Sequence, residues 1–406
     1  MRSRFCAWHS CTTRYAGFGN PFRWLALLTL LGVLPAAVDA QPAHSVLDDP
    51  VVRKVAKEGL DLLYNMEFDE AAARFDEISH QVDDHPIGPF LQALTLWWEI
   101  LVDLSSTQHD EAFYAAMTAV IARCDKRLET DREDFDAKFF KGMALGFRGR
   151  LRSNRRDWIR AAADGKRAMD YVLAVARADS TNNDFALGPG LYNYYAALIP
   201  ERYPFVRPIT AFLPRGDKAL GLDQIRRTAT HGYFMQTEAI YFLLQIYYLY
   251  EADFRHSVAY ASQLRSRHPG NSFFHTLEGR IYARWGAWSR SDTVFVSVLT
   301  LYRQRARGYN ASVAEQALYF LARGRMAVSD YDAALSYLLS LEALSARLDH
   351  DTYFKVMGRL QQGMAYDVLG RRERATERYR QVLDMKAWGS SHGQARRFLE
   401  RPYGSR

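Results

Sequence analysis

Lys57-Glu-Gly59-Leu-Asp-Leu-Leu-Tyr-Asn-Met-Glu-Phe68-Asp-Glu-Ala71-Ala-Ala-Arg-Phe75 and Gln362-Gly363-Met-Ala-Tyr366-Asp-Val-Leu-Gly370-Arg-Arg-Glu-Arg-Ala375-Thr-Glu-Arg-Tyr379 place a glycine, an alanine and an aromatic at relative offsets 0, 12 and 16. The spacing has a physical reading. A small residue in a first helix (Gly59, Gly363) and another at the start of a second (Ala71, Ala375) let two antiparallel helices approach closely. The aromatic four residues later (Phe75, Tyr379) lies one turn further along the same face and fills the gap between hairpins.

The same hairpin recurs. Gln245, Phe254 and Pro269, then Gly279, Gly286, Trp288 and Phe295, form two consecutive units, and Gln245 to Gly279 is a step of 34 residues. This pattern resembles the tetratricopeptide repeat, whose period is about 34 residues. A further unit centres on Ala322, Tyr331, Ala334 and Leu338, at longer steps that imply lengthened helices or loops. Phe139 to Gly146 reads as a first helix with Ala161 to Ala178 as its longer partner. Ala112 to Leu128 and Pro89 to Leu104 also carry apolar residues at helical spacing, and no alternating strand series is present. Pro86, Pro189, Pro200, Pro204, Pro208, Pro214 and Pro269 mark helix ends. The expected fold is all-α, a tetratricopeptide-like solenoid of about 16–18 helices stacked as antiparallel hairpins. The expected segments are a leader at 1–40, N-terminal repeats at 41–187, a proline-broken insert and helix at 188–232, and C-terminal repeats at 233–401.

The leader rests on charge and hydropathy. Met1 to Val38 contains no acid and four arginines, followed by the apolar run from Trp24 to Leu34 and a small-residue exit at Ala40. These are the parts of a secretory signal peptide cleaved after Ala40. An uncleaved N-terminal anchor is the alternative, although the run is short for a span of about 20 residues. The expected location is the periplasm or cell envelope. The net charge of +7, from 53 basic and 46 acidic residues, falls to about +4 once the four arginines and Asp39 leave with the leader. Cys124 is then the only thiol, expected as a small buried apolar residue.

The centre departs from plain repeats. Gly188-Pro-Gly190-Leu-Tyr192-Asn193-Tyr194 leads to Pro200, and Pro214-Arg-Gly216-Asp217-Lys218-Ala-Leu-Gly221-Leu222 follows. With Arg267-x-Pro269, and Phe274 leading to Gly279-Arg280, this order resembles the tetratricopeptide repeat domain 39 family, whose fungal relatives include mitochondrial outer-membrane proteins for inclusion-body clearance. The resemblance covers about residues 188–300. It implies an all-helical repeat protein without established catalysis, associated with membranes or lipid droplets; the exported leader departs from that family. Between Pro200 and Pro214, Tyr203, Phe205, Val206, Ile209, Phe212 and Leu213 either plug a gap in the array or face a membrane. Asp217 is placed to cap the next helix, and Asn193 to cap or bridge helix backbone.

No phosphate-binding glycine loop, zinc-protease, serine-hydrolase or paired CxxC motif occurs, so neither an enzyme nor a cofactor is expected. His80 and His85, with Asp83 and Asp84, read as a solvated turn rather than a metal site. Trp97 and Trp98, about 100° apart on a helix, cannot both face one core, so one is expected at the surface. Acids dominate Glu58 to Asp84, whereas eight bases lie between Arg148 and Arg167. The expected function is a non-catalytic exported scaffold that binds a protein, peptide or envelope component in its concave groove. The alternative is association with an anionic membrane surface through the basic and aromatic centre. Nucleic acid is not expected. The candidate partner- or lipid-binding residues are Arg148, Arg152, Arg155, Arg156, Asn193, Tyr194, Lys218, Tyr248 and Arg280.

Overall fold

A computed structural model describes residues 45–202, 204, 207, 214–348 and 350–405. The leader and most of the stretch from Tyr203 to Leu213 lie outside them. The described residues form seventeen α-helices and no strand, arranged as antiparallel hairpins in two compact units, 45–251 and 252–405. The expected all-α hairpin solenoid is therefore observed. Among the described residues no helix is long and apolar enough to cross a membrane.

The N-terminal unit comprises α1 (Pro50–Tyr64), α2 (Phe68–Gln81), α3 (Ile87–Val102), α4 (Asp110–Thr130), α5 (Phe135–Asn154), α6 (Trp158–Ala178), α7 (Leu187–Arg202), α8 (Lys218–His231) and α9 (Gln236–Leu249). The C-terminal unit comprises α10 (Phe254–Arg267), α11 (Ser272–Trp285), α12 (Trp288–Arg303), α13 (Ala311–Ala327), α14 (Tyr331–Ser345), α15 (Tyr353–Val368), α16 (Arg372–Asp384) and α17 (Ser391–Glu400).

Five hairpins turn in the same way. Met66, Arg156, Gly286, Ser329 and Gly370 each sit at positive φ, two residues before their second helix begins, and Ala252 does the same before α10, where the position seven earlier is Gln245 instead of glycine or alanine. Gly286 and Gly370 adopt that left-handed conformation without steric penalty, whereas a side chain there costs about 1–2 kcal/mol. Counting from this turn, the residue seven positions earlier is Gly59, Gly149, Gly279, Ala322 or Gly363. Five positions later stands Ala71, Ala161, Ser291, Ala334 or Ala375, all buried.

The glycines are needed for contact. A Cβ on Gly59 would lie 2.4 Å from the Phe75 ring, one on Gly279 2.7 Å from Phe295, and one on Gly363 2.4 Å from Tyr379. The aromatic thus lies first on the glycine of its own hairpin and only then reaches onward. Phe295 stacks on Phe320 of α13 at 5.0 Å, and Tyr379 meets Phe398 of α17 at 5.5 Å.

Other expectations meet the structure residue by residue. Asp217 caps α8, accepting the Leu220 N–H at 3.0 Å. Cys124 is fully buried, and burial pushes its thiol up to about 12. The two tryptophans correct the expectation of an exposed ring, because Trp97 is 0% and Trp98 2% exposed. Helix α3 is covered on two sides: Trp98 meets Tyr64 of α1 edge-on, while Trp97 packs on Phe113 of α4 and Phe147 of α5. His85 is likewise buried rather than solvated. Its Nε2 lies 3.2 Å from Asp136, whose carboxylate also accepts the Val46 N–H at 2.7 Å.

The glycines of the central motif hold backbone against backbone. A Cβ on Gly221 would lie 2.5 Å from the Tyr194 nitrogen, and one on Gly216 2.3 Å from the Asn193 carbonyl oxygen. Only glycine permits α7 and α8 to cross this closely.

Candidate functional site

The hairpin of α5 and α6 breaks the repeat at one position. Nine residues after the turn, four of the other hairpins carry Phe75, Phe295, Leu338 and Tyr379, and the turn at Ala252 is followed by Ala261, each fully buried. The α5–α6 hairpin carries Gly165. The large side chain that fills this position in four hairpins is absent, and Gly165 lines a cavity of about 240 Å³ between α5, α6, α7 and α9.

Side chains from four helices shape that cavity. Helix α5 sends Phe139, Met143 and Phe147, one turn apart on one face, and between them Gly146 leaves open space, since a Cβ there would meet no atom within 4 Å. Met169 and Val172 of α6, Leu191 and Tyr195 of α7 and Phe242 of α9 complete the apolar wall. Phe139, Met143, Phe147, Met169, Val172 and Leu191 are only half-buried. A second cavity of about 100 Å³ adjoins it, sharing Phe139, Met143, Phe147 and Glu238 and extending to α1 and α3.

The unit closes around these spaces. Arg53 of α1 stands 4.0 Å over the Tyr233 ring just before α9, and Tyr64 of α1 hydrogen-bonds Glu238 of α9. Asp184 fixes the start of α9 by accepting the Phe234 N–H at 3.1 Å and the Met235 N–H at 2.9 Å; burial raises its pKa despite these bonds.

Polar groups at the cavity are few. Burial also raises the Glu238 pKa, against the pull of Arg150 and the Tyr64 hydrogen bond. The Arg150 guanidinium is framed by Trp97, Tyr241 and Phe242 at 4.9, 5.5 and 5.3 Å. Gln245 is 9% exposed, and its Nε2 has no hydrogen-bond partner among the described residues. The buried Nδ2 and Oδ1 of Asn154 have none either. Both amides line the larger cavity.

The residues singled out in the sequence fall elsewhere or at its margin. Asp164 takes both Arg148, in a bidentate pair at 2.9 and 2.7 Å, and Arg152 at 2.6 Å. Arg155 clamps the loop before α4, bonding Asp110 and the carbonyls of Leu104 and Ser106. Arg156 is the exposed turn residue at φ 67°. Asn193 donates to Gln224 at 2.9 Å, joining α7 to α8. The buried Tyr194 donates to Glu251, Lys218 pairs with Glu201, and Tyr248 is half-buried on α9. Arg280 lies in the C-terminal unit with its Nε buried. Sequence reading missed Gly165, Asn154 and Gln245 as site residues. Gly165 was findable, because it stands in register with Phe75 and Tyr379.

Among the described residues no group of three His, Cys, Asp or Glu could hold a metal ion. No family model and no curated protein sequence matches the chain. Similar solved structures include human IFIT1, a dimer with m7Gppp-AAAA, at 11% identity and TM-score 0.45, covering 87% of this chain and 88% of that one. Yeast Tom70 is 11% identical with TM-score 0.42 over 87% and 95% of the two chains. A Rap protein complexed with competence and sporulation factor is 14% identical with TM-score 0.40 over 85% and 77%. The oligonucleotide belongs to IFIT1 and the peptide factor to Rap. At these scores none of the three assigns a ligand to this chain or supports the expectation that nucleic acid is excluded.

Proposed function

We propose that the chain is a non-catalytic binding protein of the cell envelope, exported by its leader, which holds the apolar part of an envelope component in the cavity of its N-terminal unit. One observation carries this reading. The hairpin position that is filled by a large buried side chain in four of six repeats, and by Ala261 in a fifth, is glycine in the α5–α6 hairpin, where it lines the cavity. Half-buried Phe and Met side chains around it retain apolar surface, at roughly 25 cal/mol per Å² on burial, for a ligand to cover. The resemblance to the domain 39 family supports the repeat build and leaves the ligand to the cavity. Within the basic stretch Arg148, Arg152 and Arg155 are already held by Asp164 and Asp110.

The uncharged fluorophore phenylnaphthylamine tests the site. The full chain is expected to bind it with enhanced emission. Gly146→Trp, whose side chain enters open space, is expected to lower the affinity at least about tenfold, or 1.4 kcal/mol. Unchanged binding in a folded variant would refute the assignment. Export is tested separately by N-terminal sequencing of the native protein: a start at Gln41 is expected, and a start at Met1 would overturn cleavage.

A further inference from the structure

We infer that the larger cavity takes one unbranched hydrocarbon chain of about 12–15 carbons, laid lengthwise between α5, α6, α7 and α9, in preference to a compact ring body of equal carbon count. The inference rests on the binding-site reading and adds the shape and length of the apolar part.

The length comes from the periodicity of the walls. On α5 a lining residue recurs at every turn from Phe139 to Asn154, a run of about 22 Å at the helical rise. The α6 wall recurs in the same way from Ala161 to Val175, about 21 Å, and the α7 wall from Leu187 to Ile199, about 18 Å. Helix α9 follows from Glu238 to Gln245. A compact space of about 240 Å³ would be only about 8 Å across, the length of about five helical residues. The walls run more than twice that, so the space is long and narrow. An extended file of single bonds advances about 1.2 Å per bond, which places about 15 bonds along the α7 wall.

The walls also decide what that narrow body is made of. Every residue that α6 contributes is apolar, and Met143, Phe147 and Leu191 join it from α5 and α7. Gly146 and Gly165 project no side chain, so the path stays open partway along. An extended peptide is equally narrow, but each of its residues brings a donor and an acceptor that walls of this kind do not pair. A hydrocarbon chain brings neither. The charged groups of the lining are engaged by the protein itself. Asp184 accepts the backbone N–H groups before α9, Glu238 hydrogen-bonds Tyr64, and Arg150 lies among three rings and offsets Glu238. Neutral probes therefore read the shape of the space without drawing on these charges.

The test displaces phenylnaphthylamine, itself flat and elongated, from the full chain with 1-octanol, 1-dodecanol and cyclododecanol. Affinity is expected to rise at least about a hundredfold from 1-octanol to 1-dodecanol, since each buried methylene is worth about fourfold. With each affinity divided by the alcohol's own octanol–water partition coefficient, 1-dodecanol is expected to exceed cyclododecanol at least about tenfold. Leu191→Trp, which sets a large ring across the path one turn from its end, is expected to cut the gain from 1-octanol to 1-dodecanol to about tenfold or less. Partition-corrected affinities of the linear and cyclic alcohols that agree within about twofold would overturn the inference, and this comparison needs no variant. An unchanged gain in a folded Leu191→Trp would overturn it as well. A capped apolar tripeptide that binds more tightly than 1-dodecanol would overturn it in favour of a peptide. If the fluorophore binds and is lost in Gly146→Trp while the linear and cyclic alcohols bind alike, the binding site stands and only its shape assignment falls. If Gly146→Trp retains the fluorophore, the reading beneath it fails.

Discussion

Asp164→Ala is expected to destabilise the N-terminal unit by about 3–5 kcal/mol, the cost of breaking a buried ion pair from one side. Asp164 is 2% exposed and holds two arginines, and Arg148 is itself 8% exposed. Removing the carboxylate strands a buried guanidinium whose remaining bond is to Thr118. The loss comes mostly from that uncompensated charge. The double variant Arg148→Met/Asp164→Leu is accordingly expected to recover most of it, since Arg152 can turn to solvent. Urea unfolding of the full chain, followed by hydrogen exchange in α5 and α6, reads both effects. A change under about 0.5 kcal/mol in Asp164→Ala would show a solvated surface charge instead of a brace between these helices.

Acidification is expected to weaken the C-terminal unit through His275. The ring is 2% exposed, its Nδ1 lies 2.8 Å from the Tyr309 hydroxyl, and burial, followed by the Arg265 charge, lowers its pKa from 6.5 to about 3. The unfolded chain takes up this proton near pH 6.5, while the folded chain resists it to about pH 3. Stability from this group is therefore complete above the unfolded value and is lost as pH falls between the two. At pH 5 the loss is about 2 kcal/mol. His275→Gln keeps a polar partner for Tyr309 but cannot titrate, so its stability is expected to fall by about 2 kcal/mol less than wild type between pH 7 and 5. Parallel pH profiles, read by hydrogen exchange in α11 across a urea series, would contradict this.

What the sequence disclosed followed local rules. Gly59 with Phe75, and Gly363 with Tyr379, are 16 residues apart on touching helices, so a regular spacing is enough to reveal the hairpin. Asp217 was legible as a cap because capping is set within three residues. What was not legible depends on packing from two sides. Trp97 and Trp98 point apart, yet both are buried because α3 has neighbours on both faces. The basic run hid its pairing, since Asp164 stands 16 residues from Arg148 on an antiparallel helix and a linear charge count separates them. Gln245 was legible only as a repeat position and Asn154 not at all, because an unmet hydrogen bond exists only in three dimensions.

Gly165 lies between these cases: its register is written in the sequence, and its consequence appears only when the missing side chain is set against the cavity. Gly165→Phe restores what Phe75 and Tyr379 do in their hairpins, and fluorophore titration of this variant beside the wild-type chain tests the account most directly. The predicted result is loss of at least about tenfold in affinity with thermal stability equal to or above that of wild type, because the ring fills space and replaces a helical glycine that costs about 1 kcal/mol. A folded Gly165→Phe that binds as well as wild type would contradict the claim that the absent ring makes the site.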